Sequence, residues 1–126
     1  GISKQDIQVV IDRVLPQIAN NLGRAKKGMP KVEIHNNVLS YNSGIEDYPG
    51  DNTENEHAQY TWHNNKIAIF SIAMKSEKDV IQALLHEYTH ATQDEKKVTA
   101  ARAKGDKNNP YEKAAKKAEK NWKNYL

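Results

Sequence analysis

Near the start of the chain, apolar residues recur at helical spacing: Ile7, Val10, Ile11, Val14, Leu15, Ile18 and Leu22. Ser3 and Asp6 form an S-x-x-D start signal and Gly23 a stop, so one amphipathic helix is predicted. Pro16 falls inside it and is expected to kink or split it, because its ring removes a backbone donor. Val32-Glu33-Ile34 alternates and predicts a short strand, and Val38 to Tyr41 predicts another. Ala58 to Trp62 and Lys66 to Phe70 flank the polar turn His63-Asn64-Asn65, the pattern of a hairpin. Ser76-x-x-Asp79 opens a second helix carrying Ile81, Leu84, Leu85 and Tyr88 in one stripe. Asn109 as N-cap, with Pro110 at the first helical position, starts a last helix. Along it, Tyr111, Ala114, Ala115, Ala118, Trp122 and Tyr125 form an apolar arc opposite Lys113, Lys116, Lys117, Lys120 and Lys123. The predicted class is α+β, and the length of 126 residues suits a single domain over 1–126.

Composition narrows the chemistry. With no cysteine, a disulfide framework and a zinc–thiolate site are both excluded, so any metal must be held by His and carboxylate. No apolar run reaches the length of a membrane span, and no basic region followed by an apolar block marks a signal peptide. The default expectation is a cytoplasmic chain without a membrane partner. The net charge of +3 is unevenly spread. Residues 96–123 hold ten Lys or Arg against three acids, a possible footprint for nucleic acid. That arc lacks the interleaved aromatics of a single-strand binder, since Trp122 and Tyr125 fall on the apolar side, which argues for a solvated face. Residues 42–57 carry five acids and no Lys or Arg. They are expected to form a polar loop with Gly44, Pro49 and Gly50, whose run Asp51-Asn52-Thr53-Glu54-Asn55-Glu56 lacks the spacing and glycine of an EF-hand.

Leu84-Leu85-His86-Glu87-Tyr88-Thr89-His90 contains H-E-x-x-H, which arises by chance in roughly one chain in a hundred of this size. At about 100° per residue, His86 and His90 fall about 140° and 180° from Ile81, so the helix packs one face and presents both imidazoles on the other. Two His at i and i+4 can grip one ion, and a catalytic zinc needs a third protein ligand and an open position. Glu87 beside the first His is placed to act as general base on a water that the metal has made acidic. Glu112 is the leading third ligand. As the third residue after Asn109 it also fits a capping box, in which it would only bond the Asn109 N–H. Asp94, Glu119, Asp106, His57 and His63 are rivals for the third position. Asp94, one turn beyond His90, reads better as an acceptor orienting an imidazole N–H.

His86-Glu87-Tyr88-Thr89-His90-Ala91 with a downstream Glu on a separate helix resembles the gluzincin branch of the zincin metallopeptidases, the group that includes thermolysin. The short length resembles the minimal members called minigluzincins. The resemblance implies a zincin-like fold: an N-terminal helix, a small twisted sheet of three to four strands, the H-E-x-x-H helix, and a C-terminal helix carrying the third ligand. It implies Zn2+ held by His86, His90 and Glu112, with Glu87 as general base, and a peptide or protein substrate. Gluzincins stabilise the oxyanion with a Tyr or His, and Tyr111, Tyr88, His63 and Arg102 are available here. Thermolysin-like enzymes carry N-E-x-x-S-D around the third ligand, where this chain has Tyr111-Glu112-Lys113-Ala114-Ala115-Lys116, without the Asp that supports the first His. The expected activity is that of a zinc-dependent peptidase, probing most simply as an endopeptidase. The rivals are an inactive binding module on the same scaffold and a basic nucleic-acid-binding protein.

Overall fold

The computed structural model describes residues 2–46, 56–105 and 108–126. Helix α1 (Lys4–Leu22) starts where the Ser3 side chain accepts the Asp6 N–H and stops at Gly23, whose φ of 94° suits a residue without a Cβ. Of the kink or split expected at Pro16, the split does not occur: α1 runs continuously through it. Its buried face (Ile7, Val10, Ile11, Val14, Ile18) extends to both sides of the proline, and that packing outweighs the loss of one backbone bond.

Strand β1 (Lys31–His35) falls where alternation placed it. Val38 to Tyr41, expected as a strand, is instead part of α2 (Val38–Ser43). Asn37 decides this: its side chain accepts the Ser40 N–H at 2.7 Å, and Gly44 closes the turn at φ 73°.

The hairpin forms as expected, from β2 (Ala58–Thr61) and β3 (Lys66–Phe70), paired antiparallel with Tyr60 opposite Ile67. Asn65 takes the left-handed turn position at φ 50°, and its side chain accepts from the Tyr60 hydroxyl at 2.7 Å. β1 pairs parallel with β3, giving the order β1-β3-β2 and leaving β2 as an edge. Ile67, Ala68, Ile69 and Phe70 of the middle strand are all fully buried. Ile67 and Ile69 join the main core, while Phe70 meets Tyr41 of α2, so both faces of the sheet are covered there.

Helix α3 (Glu77–Thr92) lies against α1, α5 and β2. Val80, Ile81, Leu84, Leu85, Tyr88 and Ala91 are buried in the core as the stripe predicts. Its start is half of the expected box: Ser76 makes no side-chain cap, and Asp79 accepts the Lys75 N–H instead. A short helix not anticipated from the pattern, α4 (Glu95–Ala103), follows, capped by Asp94. Helix α5 (Pro110–Glu119) begins at Asn109, whose side chain accepts from the N–H groups of Tyr111 and Glu112. It ends at Glu119 rather than running on to Tyr125, and a 3₁₀ turn (Trp122–Tyr125) completes the chain's described part. Tyr125 is still buried, because that turn swings it onto α1, where Asn21 donates to its hydroxyl and Arg13 to its carbonyl. Among the described residues, no helix is long and apolar enough to cross a membrane. The acidic stretch of residues 42–57 lies mostly outside the described residues. Of its acids, Glu46 pairs with Lys4 at 2.7 Å, and Glu56 borders the site below.

Candidate metal centre

Helix α3 sets two imidazoles one turn apart, His86 and His90, with ring centroids 5.0 Å apart. Helix α5 docks beside α3 and brings Glu112 between them. One carboxylate oxygen of Glu112 lies 2.9 Å from His86 Nε2 and the other 3.2 Å from His90 Nε2. One ligand atom from each of these three residues falls within 4.8 Å of the others, a group able to hold a metal ion. The alternative reading of Glu112, a return bond to Asn109, gives way. Asn109 caps α5 alone, and the Glu112 carboxylate turns to the imidazoles.

The other nitrogen of each ring is held. His86 Nδ1 lies 2.7 Å from Glu119 Oε2, and His90 Nδ1 lies 2.8 Å from Gln93 Oε1. The Gln93 amide is oriented by its Nε2, which donates to the Tyr111 carbonyl at 3.0 Å, so its oxygen must face His90. Both rear partners accept, so a proton on each Nδ1 satisfies them and leaves each Nε2 free to ligate. A carboxylate this close to two Nε2 atoms needs positive charge between them, either protons on the rings or a cation. Two imidazole nitrogens and a carboxylate oxygen, with the rear of each ring secured, fit a divalent cation with an open position.

Glu87 follows His86 on the same helix and is 8% exposed. Burial raises its pKa from the usual carboxylate value to about 7, against the lowering influence of His86 and of a hydrogen bond from the Tyr60 backbone. His90, 2% exposed, is pushed the other way: burial lowers its pKa, and the Gln93 bond opposes that. A cavity of about 310 Å³ opens over this group, lined by Tyr60, His86, Glu87, His90, Arg102 and Glu112. A second, about 200 Å³, lies on the other side of His86 and includes His57, Gln82, Glu87 and Glu119.

Several expected participants lie elsewhere. Asp94 does not orient an imidazole; its side chain is spent on the Lys97 N–H as the cap of α4, and Glu119 and Gln93 do the orienting. His63 is exposed in the hairpin turn and lines neither cavity. Tyr88 donates its hydroxyl to the Gly23 carbonyl, inside the core. Tyr111 packs against the core and meets the site only through its carbonyl. Of the rivals for the third position, Glu119 supports His86, His57 borders the second cavity, and Asp106 lies outside the described residues. Glu119, named from the sequence only as a rival ligand, stands two turns beyond Glu112 on the same face of α5, a spacing that could have suggested its place behind His86. Gln93 carried no comparable signal.

Compared with known proteins, the chain matches no family model, no curated protein and no solved structure.

Proposed function

We propose that this chain is a zinc-dependent peptidase, built on a zincin-like plan of the gluzincin kind. The observation that carries the reading is the convergence of His86 Nε2, His90 Nε2 and the Glu112 carboxylate beside a buried Glu87. His86, His90 and Glu112 would hold the zinc. When bound, it supplies a Lewis acid that makes water nucleophilic near neutral pH and polarises a carbonyl.

Glu87 takes the proton of the attacking water and later hands it to the leaving amine nitrogen. A carboxyl whose pKa sits at about 7 is matched to both halves of that task. The Tyr60 backbone on β2 favours the charged form of this carboxylate. Glu119 and Gln93 keep the imidazoles in the tautomer that presents Nε2. The edge strand β2 runs past the cavity through Ala58, Gln59 and Tyr60, so an extended peptide can add alongside it by main-chain hydrogen bonds.

The test combines metal analysis with cleavage. The purified chain should hold about one zinc, and cleave casein or a peptide library in a chelator-sensitive way. Glu87→Gln should keep the zinc and lose at least about 10²-fold in rate, as expected for removal of a general base. Undiminished cleavage by that variant refutes the role given to Glu87. A fully zinc-loaded wild type that cleaves nothing points to a binding module on this scaffold.

A further inference from the structure

We infer that Arg102 is the catalytic residue that receives the charge developing on the substrate's carbonyl oxygen. This rests on the peptidase reading and supplies the one group that reading still lacks. When water adds to a peptide carbonyl, the new C–O bond forms as the water proton passes to Glu87, and the π electrons move onto the carbonyl oxygen. The C=O then re-forms as the C–N bond breaks, and the amine nitrogen takes the proton from Glu87. The oxygen that carries the transient charge needs a donor already in place.

Four side chains were available from the sequence, and the structure separates them. Tyr88 is buried and its hydroxyl is occupied by Gly23. Tyr111 is partly buried against the core and does not line the cavity, and His63 stands away on the hairpin turn. Arg102 alone of the four lines the cavity over Glu87 and the metal donors. Tyr60 lines it too, but its hydroxyl donates to Asn65. Among the described residues, Arg102 is the only Lys or Arg on that lining, facing Glu56, Glu87 and Glu112.

Arg102 is also held. Its guanidinium lies 5.3 Å from the centre of the Trp62 ring, and Trp62 in turn meets the His90 ring edge-on at 6.1 Å. Trp62 is buried, so the platform is rigid even though the arginine is exposed. Stacking of a planar cation on an indole preorganises a long side chain that would otherwise wander. Val98, the buried residue of α4, anchors the helix from which Arg102 projects.

The test compares the zinc-loaded full chain with its Arg102→Ala and Arg102→Lys variants. Three quantities are read: zinc content, kcat and KM on a cleaved library peptide, and calorimetric affinity for a phosphonamidate analogue of that peptide. In Arg102→Ala, kcat should fall about 10²–10³-fold, the usual effect of removing one such donor. KM and zinc content should hold, and the tetrahedral phosphonamidate should weaken by a similar factor. Arg102→Lys should fall between, and guanidinium added to Arg102→Ala should restore part of the rate. If kcat in Arg102→Ala stays within threefold of wild type, or if the variant loses zinc, the inference is overturned while the peptidase reading survives. Equal weakening of peptide and phosphonamidate also overturns it, since Arg102 would then only bind ground-state substrate. A wild type that cleaves no peptide removes both.

Discussion

Glu87 is 8% exposed, and burial lifts its pKa to about 7. In the metal-free protein this has a definite sign. The folded state binds the Glu87 proton more tightly than the unfolded state does, whose value is the ordinary 4.5. Stability is therefore lost as pH rises from 4.5 to about 7, and the loss is complete above that. At 1.36 kcal/mol per pKa unit, the penalty above pH 7 is about 3 kcal/mol. Glu87→Gln removes it, so in chelator the variant should be more stable than wild type at pH 8 by up to about that amount, and equal to it near pH 4. Urea unfolding at the two pH values measures this. A uniform difference would show that burial of charge is not the cause. His90 has the opposite slope: its folded pKa is lowered, so stability is lost as pH falls through its unfolded value of 6.5. Only the comparison of variants at one pH isolates Glu87. His86, Glu87, His90 and Glu112 were legible in the sequence because helical spacing alone puts the first three together, and Asn109 announces the helix that carries the fourth. Glu119 was read as a rival ligand and Gln93 not at all, because what an imidazole's rear nitrogen meets depends on how the chain packs around α3.

At the scale of elements, α5 does two jobs: Glu112 at its first turn faces both Nε2 atoms, and Glu119 at its end backs His86 Nδ1. Glu119→Ala should leave the fold intact and weaken zinc about 10–100-fold, the usual effect of losing an acceptor behind a ligating imidazole. Competition with a chromogenic chelator reads this, and unchanged affinity would make Glu119 a bystander. The elements themselves were legible where the signal was local. Caps and apolar periodicity marked α1, α3 and the start of α5, and the Asn-rich turn marked the hairpin. Val38-Leu39-Ser40-Tyr41 misled because its residues suit a strand, while the single Asn37 cap and the turn at Gly44 made it a helix. Helix α4 left no stripe to read, since Val98 is its only buried residue.

For the whole molecule, the parallel pairing of β1 with β3 was hidden, because it joins segments separated by α2 and β2 and has no local mark. The burial of both faces of β3 follows from that pairing and from α2, not from alternation. The donors lie on two helices, so the zinc proposed above should tie α5 to α3 and stabilise the folded chain. At a free concentration 1,000 times Kd the gain is about 4 kcal/mol. Thermal unfolding with and without chelator should show a matching fall in Tm. An unchanged Tm would mean that the three side chains do not grip one ion. The chain has no cysteine, and the link between residues 86 and 112 would be a detachable staple. Such a staple answers to acid and to competing chelators, and is indifferent to reductants. Thioredoxin or glutathione could not release it, whereas scarcity of trace metal could.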